Sequence, residues 1–332
     1  MIRISEALSC ERVATYFKGD YTIGDYYTAD RVGGTGTWQG RGAERLGLAG
    51  DVSPDDFFAL LRGQSPRDGC QLVAAETGSG KHRAAWDVQA APDKSVSLVA
   101  LVGGDRRVID AHLTAARRAL AELEEHALVK DRKRRPVASR NLVIARFDHD
   151  SSRALDPHLH SHHVVFNLTE RAGRRSGHGE WRALEPRDLF AEQLHVTAIY
   201  QAELARELQA LGYEVRADAQ GLVRIAGISE EVIESFSKRR RQILDEVARR
   251  GGAGNYADRQ RAALYTRAPK RHDIDPAELR AAWRDEAARN GLDLDRLRRA
   301  ADARRAAGAG VSAADALAQA RASVAWAADH HT

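Results

Sequence analysis

The sequence predicts an α+β fold, and three observations carry that expectation. Asn141 to Leu168 holds two β-rich runs, Leu142 to Phe147 and Leu159 to Leu168, joined by a polar loop with Asp156-Pro157, and they read as an antiparallel pair. Gly104 to about Leu128 repeats apolar residues at helical spacing, with charges on the opposite face. Pro186 to Leu211 reads as a second long helix, so strands and helices follow one another in segregated blocks.

The remaining elements follow in chain order. Met1 to Ala7 alternates apolar and polar residues, as a first strand would, and Ser9 to Phe17 reads as a short helix with Ser9 as N-cap. Tyr16, Tyr21, Tyr26 and Tyr27 lie in or beside a polar, glycine-bearing stretch that cannot bury every phenol. Ser53 to Arg62 is a capped amphipathic helix with Pro54 at its first position. Gly78-Ser79-Gly80-Lys81 is not a P-loop, because Ala75 stands where the first glycine belongs and His82 where Ser or Thr belongs. Lys130 to Arg135 is a basic loop, Arg171 to Gly179 a turn, and Glu180 to Leu184 a short strand. Gly212 to Val215 and Leu222 to Ile225 suggest a β pair. Ser229 to Arg250 contains a helix with the basic run Lys238 to Arg241, and Asp275 to Asn290 is a helix bearing Trp283. From Leu292 onward the chain is rich in Ala and Arg, with no strand signal.

Composition bounds the class. With 332 residues, 43% hydrophobic and 30% charged, the chain can bury a substantial core and reads as a soluble folded protein. A net charge of +4 fits an anionic partner without demanding one. Cys10 and Cys70 are the only cysteines, which suits a reducing cytoplasm and excludes both a disulfide framework and a cysteine zinc site. No apolar run reaches the roughly 20 residues that span a bilayer.

The chemistry concentrates in the hairpin. Alternate strand residues share a face, so His160 and His162 point the same way and His163 points opposite. Antiparallel pairing would bring His149 beside them. Three neutral imidazoles on one face make a half-open metal site, with positions left for water or a substrate oxygen.

His149-Asp150-Ser151-Ser152-Arg153 followed by Asp156-Pro157-His158-Leu159-His160-Ser161-His162 resembles the three-histidine motif of the MobF-type conjugative relaxases, members of the HUH endonuclease superfamily. Two further stretches are similar to that family: Trp38-Gln39-Gly40-Arg41-Gly42-Ala43-Glu44-Arg45-Leu46-Gly47-Leu48, and Trp86 to Leu98, in which Asp87 and Lys94 keep the family spacing while Gln89, Ala90, Pro92 and Asp93 depart from it. The resemblance covers about Met1 to Leu292. It implies a central antiparallel five-stranded sheet, a palm with helices on one face and the metal site on the other. It implies a relaxase domain over 1–292, with 293–332 as a helical connector toward a C-terminal helicase domain that is absent.

The resemblance also implies the activity: nicking one strand of plasmid DNA at the transfer origin through a 5′-phosphotyrosine link that leaves a free 3′-hydroxyl, and later rejoining. Tyr16 stands where the family places its first catalytic tyrosine and Tyr26 where it places the second. Asp87 would orient a ligand imidazole or assist deprotonation. His149, His160 and His162 would hold Mg2+ or Mn2+, with Zn2+, Ni2+ or Cu2+ able to occupy the site in vitro. Lys94 and Arg153 would contact phosphates. The implied partners are single-stranded DNA with an adjacent hairpin, relaxosome accessory proteins and a coupling protein. The implied location is the cytoplasm, with transfer to the recipient cell on the bound strand. Two rival readings are a three-histidine metal hydrolase that needs no tyrosine and a non-catalytic DNA-binding accessory protein.

Overall fold

Every strand of the central sheet is antiparallel to its neighbours. In this computed structural model, residues 1–10, 13, 36–73, 83–171, 180–218, 221–266 and 274–308 are described. The strands in chain order are β1 (Ile2–Ile4), β2 (Thr37–Gln39), β3 (Ala85–Ala90), β4 (Leu128–Lys130), β5 (Pro136–Ala138), β6 (Ile144–Ser151), β7 (Pro157–Phe166), β8 (Thr169–Arg171), β9 (Glu180–Arg182), β10 (Leu184–Glu185), β11 (Val215–Ala217) and β12 (Val223–Ile225). The helices are α1 (Arg41–Arg45), α2 (Pro54–Leu61), α3 (Lys94–Ser97), α4 (Arg106–Glu125), α5 (Arg187–Ala191), α6 (Gln193–Ala210), α7 (Glu230–Ser235), α8 (Lys238–Arg249), α9 (Tyr256–Tyr265), α10 (Pro276–Arg289) and α11 (Leu294–Ala306). A π-helical turn, Leu98–Val102, continues α3. The main sheet runs β1-β3-β7-β6-β2, five strands as expected.

The period of two divides β6 and β7 between two faces. Ile144 and Val165 join the cluster built with α4 and α6, where the small residues Ala111, Ala115, Ala116 and Ala119 let Tyr200, Leu204 and Leu208 close in. Ala145, Phe147, Val164 and Phe166 face the other way into a second cluster under α2. There Phe57 is fully buried and meets Phe166 and Phe147 edge-on, with ring centres 5.1 and 5.9 Å away. This second cluster covers only one end of that face. The other end carries the histidines.

The α2 helix forms as the sequence predicts, with Ser53 Oγ accepting from Asp56 N at 3.1 Å and Pro54 in the first turn. Five expectations change, the first being that the strand expected over 180–184 is two, β9 and β10, in different sheets. The helix expected over 186–211 is two, α5 and α6, which meet at Glu192. The helix expected within 229–250 is also two, α7 and α8, with Phe236 and Ser237 between them. The loop expected at 130–135 is the turn of a β4–β5 hairpin whose other neighbour is β10; its strands are too short and too exposed to leave a periodic signal. From the segment expected to be a connector, α11 packs onto the body: Leu294 and Ala301 are buried in the main core, and a Cβ at Gly212 (φ +87°) would come 2.0 Å from Ala301 O. Of the helix expected at 9–17, only Cys10 and Val13 fall among the described residues beyond Ser9; Val13 is buried in the second cluster. Gly78 to Lys81, the turn after Arg171 and the tail from 309 lie outside the described residues.

Candidate active site

Register makes the site. β6 and β7 pair so that His149 faces His160 across the ladder, and His162 follows two residues on along the same face. Beyond His149 the register shifts, because residues 149 to 151 span residues 160 to 157 on the partner, so β7 carries one extra residue. The three imidazoles cluster: ring centres are 5.1 Å apart for His149–His160, 5.2 Å for His149–His162 and 5.1 Å for His160–His162.

The donor set fits a metal ion. Three imidazoles bound tetrahedrally through nitrogen at about 2.1 Å would set their ring centres roughly 5.2 Å apart. His149 and His160 lie within 23° of parallel, so their in-plane lone pairs run side by side and the rings must tilt together to share an ion. Two second contacts fix tautomers. His162 Nδ1 donates to Asp87 Oδ2 at 2.8 Å, and His160 Nδ1 donates to the His158 carbonyl at 2.9 Å, which leaves Nε2 as the available lone pair on each. Burial, with His158, His162 and His149 close by, holds His160 well below the ordinary imidazole range, in the neutral form a ligand needs. Asp87 reaches the site from β3, where Val164 of β7 is its direct partner. Its Oδ1 is buried and has no hydrogen-bond partner among the described residues.

The loop between the two ligand strands is held from three sides. Ser152 N donates to Asp156 O at 2.9 Å, and Leu155 adopts a left-handed φ of +61°. Trp283 Nε1 of α10 donates to the Leu155 carbonyl at 2.7 Å. Asp156 is buried, and its carboxylate accepts from the backbone N of Arg239 at 3.2 Å in the first turn of α8, whose own N-cap residue Ser237 makes no side-chain cap. The Asp-Pro pair of the motif thereby docks the loop on α8. Arg153 lies in this loop, half-buried.

On the opposite face, directly behind the histidines, runs a buried polar chain. Ser161 Oγ donates to Asp148 Oδ1 at 2.5 Å, and Arg146 lies 3.2 Å from that carboxylate. With its proton committed, Ser161 accepts from His112 Nε2 at 3.0 Å, so His112 Nδ1 accepts from the Tyr200 hydroxyl at 2.8 Å. His163, also facing this way, donates from Nδ1 to the Val88 carbonyl at 3.0 Å. Sequence reasoning did not single out Asp148, Ser161 or Tyr200. The signal was available for Asp148 and Ser161, since each strand residue next to a clustered histidine must point to the other face; for Tyr200, on α6, there was none.

Lys94 Nζ donates to the Pro157 carbonyl at 2.7 Å, and burial lowers its pKa to about 8. In the basic run of α8, Lys238 pairs with Glu286 at 2.7 Å, and Arg239 donates to Thr266 O, Thr266 Oγ1 and Ala263 O. These two cations serve the fold. Tyr16 and Tyr26 lie outside the described residues.

The TrwC relaxase family model matches residues 10–290. The chain belongs to that family. The relaxase is 37% identical over 301 residues to the multifunctional conjugation protein TraI of Escherichia coli, and 35% identical over 318 residues to TraI of E. coli strain K12. These alignments cover 85% and 92% of the relaxase but only 16% and 17% of those proteins, so it spans about a sixth of their length. Among solved structures, it is similar to the metal-bound conjugative relaxase TrwC in complex with oriT DNA, with a TM-score of 0.78 and 36% identity over 89% of this chain and 100% of that one. TrwC complexed with a 27-mer DNA comprising the recognition hairpin and the cleavage site matches with a TM-score of 0.75 and 34% identity, over the same shares. The α+β fold with its five-stranded antiparallel sheet is that of the TrwC relaxase. Among the described residues, no helix is long and apolar enough to cross a membrane.

Proposed function

We propose that this relaxase nicks one strand of plasmid DNA at a transfer origin by tyrosine transesterification, holds the cut end as a 5′-phosphotyrosine and later rejoins the strand. The observation that carries the reading is the gathering of His149, His160 and His162 with the Asp87 carboxylate at one end of a sheet face. We place the catalytic unit in residues 1–292, against which α11 packs.

A nicking step needs an oxygen nucleophile, a route for its proton and neutralisation of the phosphate. Tyr16 is assigned the first attack: its phenolic oxygen bonds to phosphorus, the bond to the 3′-oxygen breaks, and that oxygen leaves with the electron pair and takes a proton from water to become the 3′-hydroxyl. A free phenol has a pKa of about 10 and must lose its proton during attack. Asp87 Oδ1, which has no partner among the described residues, is assigned to receive it while Oδ2 holds His162. His149, His160 and His162 would hold a divalent ion, Mg2+ or Mn2+ in the cell, which would supply charge neutralisation for the phosphate. Rejoining is the reverse, with the 3′-hydroxyl displacing the tyrosine. Tyr26 is assigned a second strand transfer. Arg153 and the spare donors of Lys94 are assigned to flanking phosphates.

The substrate is single-stranded origin DNA with an adjacent hairpin, a reading supported by the TrwC complexes. Accessory proteins of the relaxosome, a coupling protein, action in the cytoplasm and passage to the recipient with the DNA belong to the same proposal. The test uses labelled single-stranded origin oligonucleotides with Mg2+ or with EDTA, denaturing gels, and peptide mapping of the adduct. A metal-dependent adduct on Tyr16 is expected, and Tyr16→Phe abolishes it. Cleavage without an adduct would point instead to a metal-bound water nucleophile, and binding without cleavage to an accessory protein.

A further inference from the structure

Away from the site, α4 and α6 bring four metal-type side chains together. Glu122 and His126 are four residues apart at the C-terminal end of α4, and Glu192 and His195 are three apart at the start of α6, so each pair shares one helix face. Glu122 Oε1 lies 3.7 Å from His126 Nε2 and 3.7 Å from His195 Nε2, and the three donor atoms are mutually within 4.8 Å. The other nitrogen of His126, Nδ1, lies 3.6 Å from Glu192 Oε1. The two rings stand 6.0 Å apart at 76°.

We propose that Glu122, His126 and His195 form a second divalent-cation site of the zinc class, with Glu192 as the carboxylate behind His126, a clip between α4 and α6 that is separate from the three-histidine site. The geometry supports it in two independent ways. Tetrahedral bonds of about 2.0–2.1 Å to nitrogen and oxygen put donor atoms roughly 3.3–3.4 Å apart, so each Glu122–imidazole pair closes by only a few tenths of an ångström on binding. Both Glu122–imidazole separations are also longer than a hydrogen bond, the spacing of donors arranged around a common point. Glu192 adds the second line of argument: its Oε1 stands 3.6 Å from Nδ1, a few tenths of an ångström beyond hydrogen-bond reach, so a small closure on binding would let it take the Nδ1–H and leave Nε2 for the ion. Two imidazoles and one carboxylate select Zn2+, Ni2+ or Cu2+ over Mg2+, which prefers oxygen. The side chains are between 26% and 49% exposed, so the ion exchanges with solvent and the fourth position is open to water. This site lies on the helices that cover one face of the sheet, whereas the three histidines lie on the other, so the two fill independently.

The test is a count of bound Zn2+ on the full chain, stripped with EDTA and equilibrated in zinc buffers, with melting temperature measured alongside. The wild type is expected to hold two equivalents and to gain melting temperature as the clip fills. His126→Ala/His195→Ala keeps its metal-free melting temperature, because both positions are partly exposed, and holds one equivalent. Glu192→Gln retains both but binds the clip ion about 10–100-fold more weakly. A wild type that holds one equivalent and loses it in the double variant still supports the clip and instead removes the three-histidine site. The proposal is overturned if the double variant binds as many equivalents as wild type, or if wild type binds none.

Discussion

Asp87 is where the assembled site can be tested most sharply. Its carboxylate accepts from His162 Nδ1 at 2.8 Å, and the two side chains are only 15% and 9% exposed, so the bond is a largely desolvated, charge-assisted one. Such a bond contributes about 1.5–3 kcal/mol, which corresponds to roughly 10–150-fold in an equilibrium constant. Asp87→Asn keeps an amide oxygen that can accept from the same Nδ1–H and loses only the charge, so metal affinity at the three-histidine site is expected to fall about tenfold. Asp87→Ala removes the acceptor altogether and takes the loss to about 100-fold. Both variants also remove the acceptor assigned to the tyrosine proton, so nicking at saturating metal falls further than metal binding does. The assay is calorimetric titration with Mn2+ or Ni2+ in the His126→Ala/His195→Ala background, which leaves one class of site, paired with single-turnover nicking. An Asp87→Ala protein that melts like wild type and binds metal within about twofold of it would refute the positioning role.

Three more expectations follow from the packing. Tyr200→Phe deletes the buried donor to His112 Nδ1 and should cost about 1–3 kcal/mol in urea unfolding; a loss below about 0.5 kcal/mol would mean the acceptor finds another partner. Burial holds His112 far below its ordinary pKa of about 6.5, so below that pH the unfolded chain takes up a proton that the folded one refuses. This residue's share of stability is therefore whole above pH about 6.5 and is lost as pH falls, by up to about 1.4 kcal/mol per unit, a slope that His112→Gln should remove. Trp283→Phe frees the Leu155 carbonyl and loosens the loop carrying Arg153; a nicking rate several-fold lower is expected, and an unchanged rate would show that α8 alone holds the loop.

Much of this was legible in the residues, for reasons of period. The rule that alternate strand residues share a face was enough to set His160 and His162 together and His163 behind, because register needs no knowledge of distant packing. The resemblance implied that Asp87 either accepts from one of the imidazoles or assists deprotonation; that the imidazole is His162, reached across β3 and β7, is a tertiary fact. The glycines of the Trp38 to Leu48 stretch were read as family identity alone. Their physical reason appears only in three dimensions: a Cβ at Gly40 would come 2.4 Å and one at Gly42 2.7 Å from Leu142 O, the carbonyl to which Gly42 N donates. Glu124 then bonds both Arg41 N and Leu142 N, so that segment clamps the entry to β6. The short strands β4 and β5 left no trace because three half-exposed residues carry too little periodicity to separate strand from loop.

The two faces of β6 and β7 impose one further constraint. Each of the three clustered histidines on these strands is flanked by a residue committed to the helix side: Asp148 before His149, and Ser161 between His160 and His162. Slipping either strand by one residue would carry imidazoles into the packing against α4 and α6 and would expel Asp148, Arg146 and Ser161 from their bonds. The buried chain from Tyr200 through His112 and Ser161 to Asp148 therefore does more than satisfy polar groups. It makes the alternative registers costly, because each would strand a desolvated donor or carboxylate. A wholly apolar helix face would hold the sheet equally well against water yet discriminate less between registers. The spacing of the three imidazoles on one face is thus secured by hydrogen bonding on the other.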